Sequence, residues 1–426
     1  MRSHTLRLLL VAIIAGVTGY YIGINKVSID WKNYKPHVEM TGKTPPPSVM
    51  HGDFNQFWTV LEKLEENYYD KKAIEPQKII NGAISGMVNS LDDPYTVYLP
   101  PKQNTDFKQG LAGKFEGIGA ELGMKEKQIV VVAPLDGSPA EKAGIKPADE
   151  ILKVNDEFTA GWTLNQAVEK IRGDKGTPVR LTVLHKGAER PVEIKIIRDT
   201  IQVKSLVSST KKIKDIEAIK MSPLLKQHAN EEVIYLRLSQ FGDTTNNEWL
   251  QMTNKIDRDL KTNKNIKGIV LDLRNNPGGY LQDAVYIASE FIKSGTAVMQ
   301  EDKNLERQSY PVSGKGLLTN VPVVVLINKG SASASEIVSG ALRDHKRAKL
   351  VGETSYGKGT IQEAEDLGNQ GAGLHVTIAK WLTPNGTWVG DGKKGSGLKP
   401  DVVVEVDNKD QSHDAQLEKA IEELLK

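Results

Sequence analysis

From residue 233 to residue 328 the sequence alternates short apolar runs with amphipathic stretches. VIYLRL at 233–238, GIVLDLR at 268–274 and VPVVVLIN at 321–328 read as strands, with helices over roughly 245–262 and 281–292 between them. Strands this continuously apolar need cover on both faces, and the intervening helices supply it, so the pattern dictates an α/β fold with a mostly parallel sheet. Such sheets place their chemistry at the strands' carboxyl ends. Two loops leave strands there. LDLRNNPGGYL offers Asn276-Pro277-Gly278-Gly279 ahead of a helix, and VVLINKGSASASEI offers Ser331, Ser333 and Ser335 ahead of another.

A helix start accounts for part of the second loop without any chemistry. Ser333-Ala334-Ser335-Glu336 fits a capping box, followed by the apolar face Ile337, Val338, Ala341 and Leu342. A nucleophile in that place is equally sound physically, because free N–H groups and the helix dipole favour an oxyanion there. It then needs a base. His345, after Asp344, lies 12 residues along the same helix from Ser333, roughly 18 Å away at about 1.5 Å per residue. His375 sits in the strand pattern LHVTIAKW with no evident acidic partner. The remaining candidate is Lys358 in Tyr356-Gly357-Lys358-Gly359, which opens an extended run placing Lys358, Thr360 and Gln362 on one face. A lysine accepts a serine proton only when burial or neighbours lower its pKa well below about 10.4. Gln362 is placed to orient the amine without adding charge.

Composition narrows the partners. With 56 basic and 54 acidic residues the formal charge is +2, and no basic block carries interleaved aromatics, so nucleic acid is not an expected partner. The chain has no cysteine, which excludes disulfides, thiolate zinc sites and a cysteine nucleophile, and its eight histidines stand at no metal-ligand spacing. No metal or organic cofactor is expected.

The N-terminus carries two arginines in MRSHTLR and then LLLVAIIAGVTGYYIGI, residues 8–24, without a charge. That is long for a signal-peptide core and short for a transmembrane helix, so an uncleaved signal anchor and a cleaved signal both stay open, ahead of a buried core helix. The basic flank predicts the bulk of the chain outside the cytoplasm. Residues 25–52, with TPPPS at 44–48, read as a polar tether. Phe54, Phe57, Trp58, Leu61, Leu64 and Tyr68 then recur at helical spacing, as do Ile79, Ile80, Ile84, Met87 and Val88 before LDDPYT at 91–96. These stripes are expected to pack on the rest of the chain, with self-association as the alternative.

Residues 113–200 form a strand-rich unit that resembles a PDZ domain. The resemblance rests on Gly117-Ile118-Gly119-Ala120 for a carboxylate-binding loop, on Ser138-Pro139-Ala140 with Ala143-Gly144-Ile145, and on a helix over Leu164–Ile171. One departure is Ala148, where such domains usually carry glycine. Two glycines around one apolar residue let backbone N–H groups converge on an anion while a peptide adds as a strand.

NKGSASASEI, GETSYGKGTIQ, DLRNNPGG, LDDPYT and GSGLKPDV at 395–402, in that combination, resemble the carboxyl-terminal processing (tail-specific) serine proteases across roughly residues 54–425. The resemblance implies a crotonase- or ClpP-like core with an inserted PDZ domain. It implies Ser333 as nucleophile, Lys358 as general base and Gln362 beside it, with the N–H of Ala334 and that of Gly278 or Gly279 as oxyanion hole. Ser335 and Glu336 are then left to the helix start and Ser331 to the loop. The expected organisation is an anchor or signal over 1–28, a linker over 29–53, and a helical region over 54–112. The PDZ domain follows over 113–200, the Ser-Lys core over 201–407, and a C-terminal helix over 408–426. The expected activity is endoproteolysis in the periplasm or another extracytoplasmic compartment, at the inner membrane, on polypeptides with free C-termini. An adaptor protein and homo-oligomerisation through the helical ends are further partner expectations. A catalytically silent PDZ scaffold and a serine hydrolase acting on a non-peptide substrate are the alternatives.

Overall fold

The computed structural model describes residues 27–32, 35–40, 54–125, 127–135, 137–313, 316–368, 371–390, 396–405 and 412–426. The apolar segment 8–24 and the TPPPS motif lie outside these residues. Among the described residues no helix is long and apolar enough to cross a membrane. The chain divides into two compact units, Met1–Ile80 and Asn81–Lys426.

In the first unit, part of the stretch expected as a tether is a hairpin. Val27–Lys32 pairs antiparallel with Lys35–Met40, Val27 opposite Met40. The two-residue alternation of Val27, Ile29 and Trp31 carries the strand signal that the nearby prolines obscured. The helix Asn55–Asn67 follows, and none of its residues is buried. Phe57, Trp58 and Leu64 stay exposed, contrary to the expectation that this stripe packs away. Within the stripe, Phe57 and Trp58 meet edge to face with ring centroids 5.0 Å apart.

The second unit contains three large sheets. The PDZ-like sheet runs in the order Val192–Ile197, Pro178–Leu184, Glu150–Val154, Gln128–Pro134, Ala120–Lys125. Its core holds Ile129, Val131, Ile151, Leu181 and Val183, all fully buried, each worth about 1.5–3 kcal/mol. The strands that lead in and out, Lys114–Gly117 and Asp199–Gln202, pair with each other, which closes the insertion at its base. Ala148 adopts φ +66°, the left-handed conformation that explains why glycine is usual at that turn.

The second sheet is ordered Leu206–Lys212, Glu232–Leu238, Ile266–Asp272, Val323–Ile327, Lys349–Gly352, Val402–Val403. Its first strand is antiparallel and all later neighbours are parallel. Separate apolar clusters cover its two faces, one built on the helices Thr245–Thr262, Leu281–Phe291 and Ala334–Asp344, the other including Leu417, Ala420 and Ile421 of the C-terminal helix Ala415–Leu424. Double cover is why VVVLI at 323–327 is apolar at every position and buried throughout. The third sheet is antiparallel: Arg307–Pro311, Thr296–Asp302, Ala372–Leu382, Thr360–Leu367, with Val97–Leu99 added to Ala372–Leu382.

Candidate active site

Two loops at the carboxyl ends of the parallel strands interlock. Asn276 is fully buried and organises the first. Its amide donates to the Leu238 carbonyl at 2.8 Å, and its Oδ1 accepts the Gly278 N–H at 2.9 Å. Its backbone carbonyl accepts from the second loop, from the Ala332 N–H at 3.0 Å and the Ser335 hydroxyl at 2.8 Å. Ser331 Oγ donates to the Leu273 carbonyl at 2.8 Å. Ser331 and Ser335 are therefore buried struts between the loops. For Ser335 this goes beyond the helix-start role expected of it.

Ser333 differs from its neighbours. It is the one residue in 331–342 that is not buried. It caps the helix Ala334–Asp344 with φ 54° and ψ −116°, a strained conformation for a residue with a side chain. Gly278 fits tightly under it, since a Cβ added to Gly278 would stand 2.8 Å from Ser333 Cβ and 2.9 Å from Ala334 N. The Ala334 N–H thus adjoins the glycine pair. Of that pair, Gly278 commits its N–H to Asn276 and its carbonyl to Phe241 N–H, while Gly279 bridges to Phe241.

Glu336 joins the serine segment to the lysine segment. It is fully buried. Its Oε2 accepts the N–H groups of Ser333 at 2.8 Å and Lys358 at 3.0 Å, while Oε1 accepts the Ser355 hydroxyl at 2.5 Å and the Gly357 N–H at 2.7 Å. Burial pushes its carboxyl above the usual range against those four bonds.

Lys358 enters from the antiparallel sheet. Its carbonyl accepts the Trp381 indole N–H at 2.8 Å, and the next carbonyl, of Gly359, accepts that of Trp388 at 2.9 Å. Its ammonium lies 5.2 Å from the centre of the Tyr95 ring. Burial lowers the amine's pKa, opposed by Asp93 and Glu336. Gln362, expected to orient the amine, directs its own amide at the hydroxyls of Thr360, 2.8 Å, and Thr377, 3.1 Å. A register shift between Ile361 and Gln362 breaks the regular alternation on which that expectation rested. His375 packs its ring on Phe107, and burial, with Lys358 nearby, holds it below its ordinary pKa. His345 is occupied at the far end of the serine helix, where Nε2 meets the Thr296 carbonyl at 2.8 Å.

Asp93 and Tyr95 beside Lys358 went unrecognised in the sequence. Their signal in the sequence is the LDDPYT motif at 91–96.

In the PDZ-like unit, Ile118 is buried, and the carbonyls of Ile118 and Gly119 accept the N–H groups of Ala140 and Leu135 at 2.8 and 2.9 Å. Gly119 takes φ +73°, and a Cβ there would stand 2.5 Å from Ser138 Cβ. The loop Gly117–Ala120 is thereby bent over Ser138 and leads directly into the strand Ala120–Lys125.

The profile of peptidase family S41 matches residues 232–404, a PDZ profile matches 130–184, and that of the activating protease CtpB N-terminal domain matches 13–103. Carboxy-terminal processing protease CtpB of Bacillus subtilis is 35% identical over 396 residues, spanning 91% of this chain and 75% of the relative. Carboxy-terminal processing protease CtpA of the same organism is 38% identical over 362 residues, spanning 84% and 71%. A solved S41 protease from Bacteroides fragilis shares the fold, with a TM-score of 0.54 at 16% identity over 84% of this chain and 90% of that one. Fold and matches together define a serine peptidase carrying a PDZ domain. The chain belongs to the carboxy-terminal processing proteases of peptidase family S41. Proteolysis is thereby favoured over the silent scaffold and the non-peptide hydrolase.

Proposed function

We propose that Ser333 is the nucleophile and Lys358 the general base of this protease. Ser333 attacks the substrate carbonyl, Lys358 takes its proton and returns it to the leaving amine, and water resolves the acyl-enzyme. The N–H of Ala334 and that of Gly279 would receive the oxyanion, the Gly278 N–H being spent on Asn276. Gln362 supports the lysine side at one remove, through Thr360 and Thr377. The observation that carries this assignment is the Glu336 carboxylate, which binds the backbone N–H of both Ser333 and Lys358. Ser333→Ala and Lys358→Ala are each expected to abolish nearly all peptide hydrolysis while leaving thermal unfolding unchanged, because nucleophile and base act as one unit. Ser331→Ala and Ser335→Ala lower stability first, being struts. An active Ser333→Ala beside a folded, inactive Ser335→Ala would move the assignment by one serine.

The finer architecture belongs to the same proposal: a crotonase- or ClpP-like core over 201–407, a PDZ domain over 113–200 reading substrate C-termini through Gly117, Ile118, Gly119 and Ala120, and a helical region over 54–112. The uncharged run 8–24 behind two arginines supports a membrane anchor with the protease on the extracytoplasmic side. Removing residues 1–28 should release a soluble, active enzyme, and a full-length chain found in the cytoplasm would end that part of the reading. The exposed Phe57-Trp58-Leu64 stripe supports self-association or an adaptor at the helical end.

A further inference from the structure

The LDDPYT segment lies on the far side of the PDZ insertion in sequence and against the lysine in space. Asp93 closes a tight turn, its Oδ1 accepting the Tyr95 N–H at 3.0 Å and its Oδ2 the Thr96 hydroxyl at 2.7 Å. Thr96 Oγ1 in turn accepts the Thr377 N–H at 3.0 Å, which fastens the turn to the strand Ala372–Leu382. The Thr377 hydroxyl accepts from Gln362 at 3.1 Å. Tyr95 places its ring under the Lys358 ammonium.

We propose that Asp93 is a positioning residue for Lys358, fixing the turn that carries the Tyr95 ring against the ammonium and supplying a negative charge near that amine. The inference rests on Lys358 being the general base. The groups around that amine leave Asp93 as the adjustable one. Tyr95 is pushed up to about 12 by burial and by Tyr356, so its phenol stays neutral. His375 is held below its ordinary value and is neutral at neutral pH. Tyr356 is a neighbour of Tyr95. Glu336 is saturated by four donors and is needed to hold Ser333. Asp93 is lowered despite its burial, because Thr377, Thr96 and Tyr95 N–H bond it and Lys358 attracts it, so it is charged wherever the enzyme works. Removing that charge leaves burial less opposed and makes Lys358 easier to deprotonate.

The test is the pH profile of kcat/KM for the full chain on a quenched-fluorescence peptide ending in a free carboxylate. Asp93→Asn should move the acid limb to lower pH. Well below the pH where the parent is half-active, the variant should retain a several-fold larger fraction of its own plateau than the parent does at the same pH. Asp93→Ser, which keeps an acceptor for Tyr95 N–H and loses the charge, should shift the limb likewise, and Asp93→Glu should hold it near the parent's. Thermal unfolding of each variant reports the fold separately, and if Asp93→Asn does not fold, Asp93→Ser decides. Acid limbs unchanged in folded Asn and Ser variants overturn the proposal, as does loss of activity in both at every pH. A fully active Lys358→Ala would instead overturn the reading of Lys358 as base.

Discussion

Ser333 stands at the end of a parallel strand, among loops that bond to one another through Asn276, Ser331 and Ser335. Lys358 arrives from the antiparallel sheet, fixed through its backbone, with its amine 5.2 Å from the Tyr95 ring and its pKa lowered by burial against the opposing charges of Asp93 and Glu336. Apart from the Glu336 carboxylate on the Ser333 N–H, the serine side is held by neutral hydrogen bonds and close packing, whereas the lysine side is governed by charge and burial. Geometry should therefore control the first and pH the second. Substitutions on the serine side should change rates or stability with little movement of the pH profile, and those around the lysine should do the reverse.

Gly278→Ala is the hardest test of the serine side. A Cβ there would stand 2.7 Å from the Ala332 carbonyl oxygen and 2.8 Å from Ser333 Cβ, at φ +98°. Displacing Ser333 and the adjoining N–H groups should lower kcat by roughly 10²–10³-fold, the scale of losing one oxyanion donor, with the pH limbs in place. A variant with near-parent kcat would mean that tight packing does not fix Ser333.

Glu336 bridges the two sides. Glu336→Ala strands four donors, each costing about 1–3 kcal/mol if left unpaired, and should appear first as a large drop in melting temperature. Glu336→Gln keeps the shape and loses acceptor capacity, and kcat should fall by on the order of a hundredfold, as for about an ångström of misplacement. Single-turnover rates and melting curves separate the two effects.

Amidating a substrate's C-terminus asks whether the PDZ-like loop is a third, independent contributor. Loss of a charge-assisted bond should weaken cleavage by about tenfold. Equal rates for free and amidated ends would remove C-terminal recognition while leaving Ser333 and Lys358 untouched. Gly119→Asp tests the loop differently from what its sequence suggests, since its Cβ is driven into Ser138 beneath the loop.

The smallest effect concerns the exception on the serine side. Asp283, in the first turn after the glycine loop, is pushed up to about 6 by burial and by Asp243, against the Asn246 hydrogen bond, and its Oδ2 has no hydrogen-bond partner among the described residues. Its folded pKa exceeds the unfolded value of about 3.9. Its contribution is therefore complete below about pH 4 and lost as pH rises through about 6. Asp283→Asn should flatten that stretch of the stability curve and be the more stable form above pH 6 by on the order of 1 kcal/mol. Parallel curves for parent and variant would place the carboxyl in water instead.

Hydrophobic period and strand-end position are local properties, so the sequence by itself determined three strands of the parallel sheet and the helices between them, the two loops that meet, and the serine helix with its capping glutamate. It also marked Ala148 as standing where glycine is usual, and the fold accommodates it at φ +66°. Proline density hid the Val27–Met40 hairpin, and periodicity alone could not say whether the Phe57-Trp58-Leu64 face finds cover. Only the tertiary structure decided that Glu336 serves the lysine segment as well as its own helix, that Gln362 bonds hydroxyls, and that Asp93 and Tyr95 face Lys358. Those outcomes depend on which distant segments share one small volume and how much water is left there, because a pKa answers to burial and to nearby charge, neither of which is written in the spacing of residues along the chain.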